Sequence, residues 1–193
     1  MNTIDPDHCV VVLVDYQERL LPAIHRGAQV VAEAVCLADA ALALDLRVVI
    51  TEQNPQRLGP TVEALQALRQ RCEVTLAKMH FDACADGLLD ALRPASAEAP
   101  LPDVVIAGCE AHVCLLQTAL SLLQAGHRVW VVAPACGSRS PDDHELAMQR
   151  LRQAGAVVVS VEMVLFEWLQ SCQHGQFKPV LQLIKTRGTE NPP

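Results

Sequence analysis

Cys9-Val-Val-Val-Leu-Val-Asp15 is an unbroken apolar run, mostly β-branched, that ends on an acid. A strand with one wet face alternates polar and apolar side chains; a run without alternation reads as a strand buried on both faces. Five similar runs follow: Arg47-Val-Val-Ile-Thr51, Glu73-Val-Thr-Leu-Ala77, Asp103-Val-Val-Ile-Ala-Gly108, Arg128-Val-Trp-Val-Val-Ala133 and Ala156-Val-Val-Val-Ser160. Ala/Leu-rich helical stretches lie between them at 27–45, about 61–70, about 85–92, 113–125 and 140–154, with two more at 161–170 and 177–185. Gly126 fits a helix-ending C′ position. Ser140-Pro-Asp-Asp143 supplies an N-cap, a Pro at N1 and first-turn acids. Residues 52–60 read as a turn-rich loop, 94–102 as a Pro/Ala-rich surface connection and 188–193 as a fraying tail. Strict alternation of strand and helix selects right-handed crossovers and a parallel sheet, an α/β fold.

At about 150 residues per domain, a chain of 193 residues makes one domain. It is 51% hydrophobic but only 3% aromatic, so its core is built from Ala, Val and Leu. The net charge of −7 argues against a nucleic-acid partner, which needs a basic surface. No apolar run approaches the ~18–20 residues of a membrane span. Residues 1–8 are polar and acidic, unlike a secretory leader. The expectation is a cytoplasmic protein with reduced thiols and no membrane partner. The eight cysteines are scattered without a C-x-x-C pair, which removes zinc-ribbon and thioredoxin-like readings. Cys9, Cys36, Cys72 and Cys109 fall in or beside apolar runs and read as small buried hydrophobes.

In an open parallel sheet, ligands gather beyond the C-terminal strand ends. Three reactive side chains fall there: Asp15 after the first run, Lys78 after the third, and Cys114 near the start of the helix after the fourth. A helix N-terminus stabilises a thiolate, and a nearby Lys78 would lower the thiol pKa further. Asp15 opposes that electrostatically but is a base able to accept the thiol proton. The backbone N–H groups of Gly108-Cys-Glu-Ala-His-Val-Cys114 suit a developing oxyanion. Each residue alone has a bland explanation, as packing, turn or solvated surface. Together they supply a nucleophile, a base and a cation.

Val12-Leu-Val-Asp15-Tyr-Gln17, Ala77-Lys78 followed by Phe81, and Gly108-Cys-Glu-Ala-His-Val-Cys114 resemble the three motifs of the isochorismatase-like cysteine hydrolase superfamily. The resemblance covers about 8–187. Thr51-Glu-Gln-Asn-Pro-Gln-Arg-Leu-Gly-Pro60, Cys136-Gly-Ser-Arg-Ser-Pro141, Gln176-Phe-Lys178 and Leu183-Ile-Lys185 look closest to its isochorismatase-domain-containing subgroup. The resemblance implies a three-layer α/β/α fold with a six-stranded, mainly parallel, Rossmann-like sheet ordered 3-2-1-4-5-6. It implies Cys114 as nucleophile, Asp15 as general base and Lys78 as the group that stabilises the charged pair. It also implies a cis Cys109–Glu110 peptide, with the Glu110 and Cys114 N–H groups forming the oxyanion hole. The implied reaction is hydrolysis of a small-molecule amide or related carbon–nitrogen bond through a thioester. Isochorismatases of the superfamily cleave a vinyl ether and need no thiol nucleophile, so Cys114 favours the amidase-type chemistry. A homo-oligomer is expected on the same ground.

Nicotinamidases of this superfamily carry an Asp-x-His metal site after the second strand. Thr51-Glu-Gln-Asn-Pro has no such pair, and Glu52 alone is a poor ligand set, so neither metal nor cofactor is expected. Tyr16, Gln53, Phe81, His112 and Arg139 are the candidate pocket residues. His112 either meets substrate or hydrogen-bonds the backbone. Glu110 either contacts ligand or faces solvent. Arg139 either binds an anionic substrate or fixes its loop through a salt bridge or carbonyl contact. Met148, Met163, Trp130 and Trp168 are assigned to the core or a subunit interface. Two other functions fit the residues: a peroxide-sensing thiol protein in which Cys109 or another thiol resolves Cys114, and a non-catalytic oligomeric binding module.

Overall fold

The six apolar runs become strands in the computed structural model, which describes residues 3–187 except 73, 95 and 97. They are β1 (Cys9–Val14), β2 (Arg47–Gln53), β3 (Val74–Lys78), β4 (Asp103–Gly108), β5 (Val129–Val132) and β6 (Val157–Val159). All pairings are parallel, in the order β3-β2-β1-β4-β5-β6. In the middle of the sheet, Val12 of β1 stands beside Val49 of β2 on one side and Ile106 of β4 on the other. Every residue of β1 and β4 is buried, because helices cover both faces. α1 (Gly27–Ala43), α7 (Val161–Leu169) and α8 (Phe177–Thr186) pack together on one face, and α5 (Leu116–Gln124) and α6 (Pro141–Gln153) on the other. Four-residue helices complete the set: α2 (Pro55–Leu58), α3 (Gln66–Arg69) and α4 (Leu88–Ala91). Among the described residues no helix is long and apolar enough to cross a membrane.

Helix boundaries follow local chemistry. Ser140 caps α6 by accepting from the Asp142 N–H, with Pro141 at the first position. Gly126 takes φ 92° just past α5. The predicted helix at 85–92 splits into a 3₁₀ turn at Ala83–Asp86 and α4, because Gly87 between them is left-handed at φ 103°. The predicted helix at 61–70 is likewise a 3₁₀ turn, Glu63–Leu65, followed by α3. β2 runs through Glu52 and Gln53, residues read as loop from sequence; their backbone pairs with Ala77 and Lys78 of β3. Glu73, parts of the 94–102 connection and the tail at 188–193 lie outside the described residues.

All eight cysteines are free thiols. Cys9, Cys36, Cys109, Cys114 and Cys136 are buried, Cys72 and Cys84 half-buried, and Cys172 exposed. Trp130, Met148 and Trp168 are core residues, whereas Met163 is half exposed. Burial raises the thiol pKa of Cys9, Cys84 and Cys136 from 9.0 to about 12, and that of Cys36 to about 11. A pKa raised in the folded state means that unfolding releases protons once the unfolded thiols ionise. The contribution to stability is complete below 9.0 and is lost as pH climbs toward 12. Urea midpoints should therefore fall steadily as pH is raised from about 8 to about 11. A flat profile would contradict this burial of the thiols.

Candidate active site

The site assembles where β1, β2, β3 and β4 end. β1 stops at Asp15, which adopts φ 56°, a left-handed conformation that Asp tolerates better than most residues. Its N–H donates to the Thr51 carbonyl at 3.1 Å, and its carbonyl accepts from the Gln17 N–H at 2.9 Å. The carboxylate sits over β2, where Thr51 Oγ1 donates to Oδ1 at 2.6 Å. From β3 on the far side of β2, Lys78 Nζ reaches Asp15 Oδ2 at 2.7 Å, and both side chains are fully buried. Lys78 Nζ also donates to Gln53 Oε1 at 2.7 Å and approaches the His80 and Phe81 carbonyls at 3.3 Å. A buried ammonium–carboxylate pair is tolerable only when its remaining donors and acceptors are met in this way.

Gln53 is itself held. Its Nε2 donates to the Met79 carbonyl at 2.9 Å, and its N–H donates to Gln17 Oε1 at 2.8 Å. Gln17 Nε2 donates in turn to the Gln53 and Gly59 carbonyls, at 3.1 and 2.7 Å. The Glu52 carboxylate accepts from the Thr61 N–H and hydroxyl at 2.9 and 2.8 Å. Among the described residues no three His, Cys, Asp or Glu side chains converge as a metal site.

β4 delivers the nucleophile candidate through a tight turn. Gly108 has φ 154°, and a Cβ there would lie 2.3 Å from the Val14 carbonyl oxygen, so the end of β4 presses directly on the end of β1. The Cys109–Glu110 peptide is cis. The Ala111 N–H donates to the Gly137 carbonyl at 2.7 Å, and the Gly137 N–H to the Gly108 carbonyl at 3.1 Å. Residues Ala111–Leu115 form one π-helical turn before α5, with Leu115 N–H donating to the Glu110 carbonyl at 3.2 Å. Cys114 sits in that turn, its Sγ 4.0 Å from Gln53 Oε1.

The Cys114 thiol is harder to ionise than the helix terminus and Lys78 alone would make it. Burial, then the Asp15 carboxylate, push the Cys114 thiol up from 9.0 to about 12, and the opposing pull of Lys78 is too small to offset them. The helix terminus, Lys78 and the opposing Asp15 are legible in the sequence; the desolvation, which is the largest cause, is not. Asp15 and Lys78 both act on this thiol, so the three predicted catalytic side chains do meet.

Cys114 borders a cavity of about 100 Å³, together with Asp15, Gln53 and Glu110. Its apolar walls are Leu20, Leu58, Phe81 and Val113. Of the candidate pocket residues, Gln53 and Phe81 line it. Tyr16 does not: it is buried, and its hydroxyl donates to the Ala135 carbonyl at 2.5 Å. His112 also lies off the cavity, its Nδ1 sharing a hydrogen bond with Ser138 Oγ at 3.0 Å. Arg139 Nε donates to Glu110 Oε1 at 2.6 Å, the loop-fixing salt bridge rather than a free anion site. Thr51 is a site residue the sequence reading missed. It was visible as a polar end to an apolar run. Leu20, Leu58 and Val113 carry no sequence signal, since lone aliphatics in loops and helices look alike.

Lys78→Met should leave the Asp15 carboxylate buried and unpaired, costing about 3–5 kcal/mol in urea unfolding. Adding Asp15→Asn to that variant should recover part of the loss. Gly108→Ala should destabilise by several kcal/mol, about the upper range for single substitutions; a wild-type melting temperature would contradict the close approach of β4 to β1.

Comparison with known proteins agrees with this architecture. The isochorismatase domain model matches residues 9–163. Isochorismatase domain-containing protein 2 of Pongo abelii is 38% identical over 181 residues, covering 93% of this chain and 84% of that protein. The solved MAR1 ribonuclease of Caenorhabditis elegans superposes with a TM-score of 0.86 at 31% identity, covering 100% of this chain and 98% of that one. The YcaC gene product of Escherichia coli, an octameric hydrolase of unknown specificity, shares the fold with a TM-score of 0.87 at 23% identity, over 98% and 93% of the two chains. Matched over most of its length by the domain model and above 30% identity by relatives, this chain belongs to the isochorismatase family and has the fold of its hydrolases.

Proposed function

We propose that the chain is a cysteine hydrolase that cleaves a small-molecule amide or related carbon–nitrogen bond through a thioester on Cys114. The observation that carries this reading is the Lys78–Asp15 pair at 2.7 Å beside a thiol that both groups influence, at the edge of one cavity. In this mechanism the resting thiol is neutral. As Cys114 Sγ attacks the carbonyl carbon, its proton passes to Asp15, and Lys78 stabilises the charges that exchange. The oxyanion is taken by the Glu110 and Cys114 backbone N–H groups. Collapse breaks the carbon–nitrogen bond, and Asp15 gives its proton to the departing amine. Water then attacks the thioester as Asp15 accepts its proton, the carbon–sulfur bond breaks to free the carboxylic acid, and Asp15 returns the proton to Cys114 Sγ. No metal or cofactor enters these steps. A reduced cytoplasmic setting keeps the thiol available, and a homo-oligomer is proposed by analogy with the octameric neighbour.

The ribonuclease activity named for the C. elegans neighbour is not carried over. The chain has a net charge of −7, and two carboxylates border its cavity, which disfavours a polyanion.

Ammonia release from a panel of small amides tests the proposal. Wild type should turn over at least one member, and Cys114→Ala and Asp15→Asn should each lower its kcat by about a thousandfold or more. Undiminished turnover by Cys114→Ala would overturn it. No turnover, with a Cys109–Cys114 disulfide after mild peroxide, would instead favour a redox thiol protein.

A further inference from the structure

We infer that the cavity beside Cys114 admits compact amides that carry no negative charge, and that the Glu110 carboxylate, positioned by Arg139, sets this selectivity. The inference deepens the hydrolase reading above and rests on it for the identity of the reacting group.

Size is the first constraint. The cavity holds about 100 Å³, against ≈ 300–1,000 Å³ for sites that take drug-sized ligands, and a water occupies ≈ 30 Å³ in the liquid. A short aliphatic amide fits this space. Leu20, Leu58, Phe81 and Val113 give its alkyl part an apolar wall.

Charge is the second. Two carboxylates border the cavity, Asp15 and Glu110. Lys78 is already engaged: it is fully buried, and its N–H donors face Asp15, Gln53 and the His80 and Phe81 carbonyls. Arg139 is a second cation at this site. Its side chain is 63% exposed, lies outside the cavity lining, and is engaged by Glu110 at 2.6 Å. A carboxylate entering this space would meet two carboxylates, partly out of water, while the cations beside them, Lys78 and Arg139, are already paired.

Glu110 is placed to read the opposite kind of group. It is 8% exposed and borders the cavity. Arg139 Nε donates to Oε1, and among the described residues no side-chain or backbone donor reaches Oε2. That oxygen can accept from an amide NH₂ or an ammonium on the substrate. Arg139 is a positioning residue: it acts through Glu110, holding a flexible carboxylate on the wall.

Alkylation of Cys114 by two reagents of similar size and opposite charge behaviour tests this without requiring turnover. Iodoacetamide is a neutral amide and iodoacetate an anion, and the exposed Cys172 serves as the reference thiol in the same chain. Site-resolved mass spectrometry should give an iodoacetamide-to-iodoacetate rate ratio about tenfold higher at Cys114 than at Cys172. Glu110→Gln should lower the Cys114 ratio at least about threefold, and Arg139→Gln, which releases the carboxylate it positions, should lower it by a smaller factor. An unchanged melting temperature in each variant separates this effect from lost folding. Equal ratios at the two thiols, or an unchanged ratio in Glu110→Gln, would overturn the inference. Preserved selectivity without hydrolysis of any neutral amide would support the cavity's charge selection and remove the hydrolase reading instead.

Discussion

The Lys78–Asp15 ion pair is the constraint around which the site is arranged. Two opposite charges with no exposed side-chain surface cost several kcal/mol each to desolvate, and their attraction offsets this only if every remaining donor and acceptor is satisfied. The parallel register supplies those partners. Thr51 and Gln53 sit on β2, between the strands that carry Asp15 and Lys78, and each bonds one member of the pair. Gln17 then satisfies the Gln53 backbone and ties in Gly59 of the neighbouring loop. The chain around the pair is thereby ordered for electrostatic reasons before any substrate is considered.

The pair also acts on Cys114, second to its burial. A carboxylate and an ammonium beside a thiol pull its proton equilibrium in opposite directions. With burial added, the thiol remains protonated. In the proposed mechanism a neutral resting nucleophile suits a neighbouring base, because deprotonation would couple to attack on a bound carbonyl. Two backbone devices bring Cys114 there. Gly108 allows β4 to crowd Val14 at the end of β1, and the π-helical turn at Ala111–Leu115 offsets Cys114 from the face it would occupy in a regular helix.

Much of the fold was legible in the residues. Continuous β-branched runs identify strands by their burial on both faces, and Asp15, Lys78 and Cys114 announce themselves as reactive side chains at strand ends. The less legible features have specific physical causes. Glu52 and Gln53 have weak strand propensity, and only their tertiary partners, Thr61, Lys78 and Gln17, keep them in β2. Tyr16 follows Asp15 directly, but the left-handed Asp15 turns the chain so that its ring enters the core toward Ala135. A π-helical turn adds one residue without changing composition, so periodicity does not reveal it. Desolvation of Cys114 depends on neighbours distant in sequence, and a count of nearby charges omits it.

The most direct test of the account is a thiolate titration of Cys114, read from ultraviolet absorbance as the difference between each protein and its Cys114→Ala counterpart. In wild type the thiolate should emerge only toward about 12. In Asp15→Asn the opposing carboxylate is gone while Lys78 remains, so the midpoint should fall by at least about one pH unit. An unchanged or higher midpoint in Asp15→Asn would contradict the coupling of Cys114 to the Lys78–Asp15 pair, and with it the assignment of Asp15 as the base.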